Sequence, residues 1–171
     1  MRLSIVIGAL CAMSVASSVS RADTPTLARA GNWEAFGGTA SNGRPVCGVS
    51  QDIAGKYFGL KRFNQTDHFT IQIGSNGWKF QNGQKVKLEM VFDGNSPWSA
   101  NGTGMHFDDG DPGLEFTVKR TELDRFLGEF QNGTTLKVRF IDATIADWTV
   151  SLAGSGVVSG VMQKCIRDRS L

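Results

Sequence analysis

Trp148-Thr149-Val150-Ser151-Leu152-Ala153-Gly154-Ser155-Gly156-Val157-Val158-Ser159-Gly160-Val161-Met162-Gln163-Lys164-Cys165-Ile166 is the stretch from which the architecture is read. Trp148, Val150 and Leu152 alternate with Thr149 and Ser151, the period of a strand with one buried face. Gly154 turns the chain. Ser155 can cap a short helix in which Val157, Val158, Val161, Met162 and Cys165 share one side at helical spacing. That side carries a cysteine, and pairing it with Cys47 would tie the last element to one of the first. The intervening chain then reads as an antiparallel β framework inside a single covalent loop.

Working back to the start, residues 1–22 read as a secretory leader. Arg2 is a minimal basic region, Leu3 to Ala16 is apolar with small residues, and Ser20-Arg21-Ala22 places small residues where cleavage before Asp23 requires them. Cys11 follows Leu10 and comes too early for a lipoprotein anchor. The apolar run is too short for a membrane-spanning helix, and no later stretch approaches that length, so a chain that does not cross the membrane is expected. Of the 18 basic residues Arg2 and Arg21 lie in the leader, leaving 16 against 16 acidic ones. That balance speaks against a nucleic-acid partner, whose phosphates need a basic excess. About 149 of the 171 residues remain, enough for one domain at 23–171, with 23–31 and 167–171 expected to be mobile. Export would leave Cys47 and Cys165 as the two cysteines of the mature chain, in an oxidising compartment where pairing is the rule.

The middle of the chain supplies strands. Pro45 to Gln51 places Cys47 and Val49 on one face, and Tyr57 to Phe63 with His68 to Ile73 reads as a hairpin around Asn64 to Asp67. The run Lys61-Arg62 reads as an outward strand edge. Val86, Leu88, Met90 and Phe92 alternate with Lys85, Lys87 and Glu89, the clearest amphipathic strand. Asp93 to Gly104 reads as a loop containing Pro97-Trp98. Leu114, Phe116 and Val118 define a further strand. Thr121 stands at capping-box distance from Asp124, and Leu123, Phe126, Leu127 and Phe130 form a helical face that ends at Asn132-Gly133. Leu136, Val138 and Phe140 then lead to the Trp148 segment. The expected fold is mainly β with some α: an antiparallel β-sandwich of about nine strands, one mid-chain helix and a short C-terminal helix.

Chemistry is sparse. There is no Gly-x-Ser-x-Gly elbow, and only His68 and His106 could serve as bases. Two isolated cysteines make no zinc site, and no cofactor or resident metal is implied. Asp108, Asp109 and Asp111 crowd a glycine turn, with His106 two residues before Asp108. A solvated turn that blocks sheet-edge pairing is the plain reading; part of a calcium loop is the sharper one, although the closing glutamate is missing. Paired carboxylates for polysaccharide cleavage would need Glu89 or Glu115 across a cleft. Trp98, after a proline in a Gly-, Asn- and Ser-rich segment, is the aromatic expected to be exposed for recognition. The speculative binding set is therefore Trp98, His106, Asp108, Asp109 and Asp111.

The leader, the early Trp33, the strand Cys47-x-x-x-Gln51 and the ending Ser151-Leu152-Ala153-Gly154-Ser155 before a helix together resemble the invasion-associated locus B family of secreted bacterial proteins. The resemblance implies a small periplasmic β-sandwich domain linked to host-cell entry, with no catalytic residues to carry over. The functional expectation is a non-enzymatic periplasmic or secreted binding protein, a monomer that recognises another protein or an envelope component. The rival classes are an enzyme or inhibitor acting on envelope polysaccharide and a calcium-dependent adhesion module.

Overall fold

The computed structural model describes residues 24–171; the expected leader and its cleavage point lie outside the described residues. Ten strands and two helices follow in chain order: β1 Thr26–Ala30, β2 Trp33–Thr39, β3 Pro45–Ile53, β4 Lys56–Phe63, β5 His68–Ser75, β6 Lys85–Phe92, β7 Trp98–His106, β8 Pro112–Lys119, α1 Arg120–Asn132, β9 Thr135–Phe140, β10 Trp148–Ser151 and α2 Ser155–Asp168. The ladder runs β1-β2-β3-β4-β5-β8-β7-β6-β9-β10, and every pair is antiparallel.

The fold is mainly β, as its alternation predicts. The expected sandwich of about nine strands is not borne out, because ten strands join in one open sheet with β1 and β10 at its edges. Alternation reports that one face of each strand is buried; it does not report whether the opposite wall belongs to another sheet or to the same sheet curling round. Here the sheet coils. Phe58 of β4 meets Trp148 of β10 at a centroid distance of 6.5 Å, and the Trp33 indole of β2 donates to the Ser151 carbonyl of β10 at 3.0 Å.

Two segments read as irregular are strands. Thr26–Ala30 is an edge strand on β2, inside the stretch expected to be mobile. Trp98–His106 is a nine-residue strand between β6 and β8, where the sequence leads one to expect a loop over Asp93 to Gly104. At the other end α2 runs to Asp168, into the expected mobile tail, and it is a full 14-residue helix.

The helices close the concave side. Phe126, Leu127 and Phe130 of α1 enter the core, where Phe130 packs on Trp33 at 4.9 Å. Neither helix start is capped by a side chain. Lys119, not Thr121, is the N-cap of α1, and Gly154 in the left-handed region (φ 98°) is that of α2. The Ser155 hydroxyl instead donates to the Phe130 carbonyl at 2.6 Å, stitching α2 to α1. Val157, expected on the buried side of α2, is exposed; Val158, Met162 and Cys165 form that face. Cys165 is disulfide-bonded to Cys47 of β3 across a sequence separation of 118, with Cα atoms 6.0 Å apart. No helix among the described residues is long and apolar enough to cross a membrane.

Candidate binding cleft

On β4 the side chains divide cleanly. Phe58, Leu60 and Arg62 point to the core side, while Tyr57, Lys61 and Phe63 point to the opposite face. That second face ought to be open to water. It is not: Ser50, Thr70 and Gln72 on neighbouring strands are all buried. The β2–β3 turn at Ala40 to Arg44 and the β7–β8 turn around Phe107 fold over it and leave a cleft of about 390 Å³. Phe107 lies so close across Gly74 and Gly113 that a Cβ on either would strike its ring, so glycine at these two strand positions is what lets the aromatic cover sit down. Tyr57 meets Phe107 edge-on at 5.1 Å.

A line of polar side chains crosses the cleft floor. The Lys61 ammonium donates to Gln72 Oε1 at 2.5 Å, and Gln72 Nε2 donates to Glu115 Oε2 at 2.7 Å. Burial holds the Lys61 amine below the ordinary lysine range, while the charges of Glu115 and Asp108 pull it back up. Burial also pushes the Tyr57 phenol up, so this hydroxyl stays protonated and can donate. The cleft therefore presents a cation and a carboxylate on a pre-organised floor with aromatic walls, and the Tyr57 phenol stands in the adjoining hollow.

Of the residues singled out in the sequence, His68, His106, Asp108 and Glu115 line this cleft, and Asp108, Asp109 and Asp111 line an adjoining hollow with Tyr57 and Phe107. His106 Nδ1 lies 2.9 Å from Asn82 Oδ1. Asp109 is used by its own turn, accepting the Asp111 backbone N–H at 3.0 Å. Among the described residues no three His, Cys, Asp or Glu side chains converge on a point that could hold a metal ion. Trp98 is elsewhere and is not exposed: it is 7% accessible, packed on Phe126 with Arg125 stacked 3.7 Å above its ring, and it donates to Glu129 at 2.9 Å. It fastens α1 to the sheet. The Lys61-Arg62 run is also not an edge, since β4 is an interior strand and its two cations face opposite sides.

Sequence reasoning, which named Glu115 only as one of two possible partner carboxylates, missed Tyr57, Lys61 and Gln72. Their alternation with core residues marks them as outward-facing, but nothing local says that two distant turns fold back over that face. Comparison of the chain with protein-family models, curated proteins and solved structures finds no match.

Proposed function

We propose that the chain is an exported, non-enzymatic binding protein of the invasion-associated locus B type, acting in the periplasm or outside the cell in envelope function or host interaction. Its recognition surface is the cleft over Lys61, Gln72 and Glu115. The observation that carries this reading is the covered polar floor. Burying Ser50, Thr70, Gln72 and an amine on the side of the sheet away from the core costs stability, and a ligand rich in donors and acceptors would recover what water would otherwise satisfy. An extended peptide or a glycan strand has that character. Support also comes from how the reactive groups are employed: both remaining cysteines are joined, and each histidine is engaged by a short polar neighbour, Asp67 or Asn82.

The test places a photoreactive residue at Ser41 or Phe63, both on the cleft, and at Thr149 on β10 as a control, in cells expressing the full chain. One discrete crosslinked partner from the cleft positions and not from Thr149 is expected. Equal labelling from all three sites would remove the cleft from the argument.

One observation favours a second reading. Asp108 and Glu115 line the same cavity, the arrangement that a hydrolase acting on envelope polysaccharide would need. Release of soluble fragments from purified cell-wall polymer, abolished by Glu115→Gln, would establish it; no release by the unmodified chain would end it.

A further inference from the structure

Two elements, β4 and α1, break local rules, and they break them in one place. The inward face of β4 reads Phe58, Leu60, Arg62, so an arginine stands where the alternation calls for a third apolar side chain; it is only 6% accessible. Helix α1 opens with Lys119 and Arg120, cations at the end where the helix dipole is already positive, and no side chain caps it. Such conflicts between sequence and fold gather where a chain does something other than fold.

Arg62 and Arg120 flank one groove of about 610 Å³ between β4, α1 and α2, and Arg167 from the last turn of α2 completes the rim. Leu123, Leu127, Ile166 and Phe69 give it an apolar floor. The Arg62 guanidinium is aimed by the protein: it lies 5.5 Å over the Phe69 ring, and Nη1 donates to the His68 carbonyl at 3.0 Å and to Thr66 Oγ1 at 3.5 Å. None of the three arginines is in an ion pair among the described residues, and Asp124 is the one acidic side chain among those lining the groove. Burial and then the Arg120 charge both disfavour the Arg62 cation and hold its pKa below the ordinary arginine range, with Asp67 opposing them. An anion lodged between Arg62 and Arg120 would relieve that repulsion.

We propose that this groove is a second binding site, separate from the Lys61 cleft, for an anionic amphiphile: a carboxylate or phosphate head held by Arg62, Arg120 and Arg167, with a single apolar chain laid along Leu123, Leu127 and Ile166. The volume lies within the roughly 300–1,000 Å³ of sites that enclose a small ligand. The charge excess selects the head, and the apolar floor requires the tail.

Titration calorimetry on the full disulfide-bonded chain tests both halves, using dodecanoate and dodecyl phosphate below their micelle concentrations. Saturable binding of either is expected, and their ratio identifies the preferred head. Dodecanol and inorganic phosphate, which carry only a tail or only a head, are expected to bind at least about tenfold more weakly. Charge reversal at the rim, Arg120→Glu or Arg167→Glu, avoids disturbing buried Arg62 and should weaken dodecanoate by about tenfold or more, with the melting temperature checked for each variant. Equal affinity for dodecanol and dodecanoate, or rim variants that fold and bind as the parent does, would overturn the proposal. So would association with phosphatidylglycerol vesicles combined with no binding of either monomeric amphiphile, which would assign the arginines to a membrane surface.

Discussion

Asp93 sits just beyond β6 in the left-handed backbone region (φ 46°) and takes four hydrogen bonds from two consecutive threonines. The Thr134 hydroxyl donates to it at 2.7 Å and the Thr135 backbone N–H at 2.8 Å; the Thr134 N–H and Thr135 hydroxyl complete the set. The Thr134 bonds lead in holding its carboxyl down at about 2. A folded pKa below the unfolded one means that the stabilisation is complete above the ordinary carboxylate range and is lost as pH falls toward about 2. Asp93→Asn replaces an acceptor with a donor facing donors. Its melting temperature should therefore fall below the parent's at neutral pH, and the gap should narrow below about pH 4 and close as pH falls through about 2. A gap that stays constant across that range, measured by circular dichroism, would show that the carboxylate is not what the threonines hold. At this scale the sequence was informative where chemistry is local and silent where it is not. Cys47 and Cys165, the two cysteines outside the expected leader, suggest their pairing by number, whereas Trp98 looks exposed because nothing near it in sequence reveals that Arg125 and Phe126 cover it.

Strands with their own apolar alternation were legible as elements, and those that owe their state to neighbours were not. Val86–Phe92 and Leu136–Phe140 carry their pattern themselves. By contrast β7, with Asn101, Gly102 and Gly104, has little intrinsic preference to be a strand; it is extended because β6 and β8 hydrogen-bond it from both sides. Edge strand β1 is exposed along most of its length and so offers no buried periodicity to read. The same dependence on distant neighbours governs the junction of β10 and α2. Gly154 has φ 98°, and a Cβ there would be driven into the Ala30 carbonyl, while Gly31 closes on the Ala153 carbonyl from the other side. These two turns lock the sheet's opposite edges together without ladder bonds. Gly154→Ala should thus cost about 1–3 kcal/mol in urea denaturation, combining backbone strain with a backbone clash. Gly43→Ala, strained but in open space, should cost less, because only the first of those terms applies.

For the whole molecule, the deciding feature is how an open sheet of ten strands is kept curled. The ladder does not close it, so closure falls to the Gly31–Gly154 junction, the Trp33–Ser151 hydrogen bond and α2, which packs across β1, β2 and β3 and is bolted to β3 through Cys47–Cys165. A loop of 118 residues gives a bridge worth about 4–5 kcal/mol in the chain-entropy model, toward the upper end of what natural disulfides contribute. The loss should not spread evenly. Strands β4 to β8 are each paired on both sides and need no tether, whereas α2 has its apolar face of Val158, Met162 and Cys165 as its chief hold on the sheet. With Cys47→Ala and Cys165→Ala together, hydrogen exchange in α2 and β1 is expected to accelerate well before that of β5 and β8. The Arg62 groove, which takes Gln163, Ile166 and Arg167 from α2, should lose its amphiphile affinity in the same variant even where the sheet remains folded. Uniform acceleration across all elements would instead mean that the bridge acts only on the unfolded chain, and α2 would then be held by packing alone.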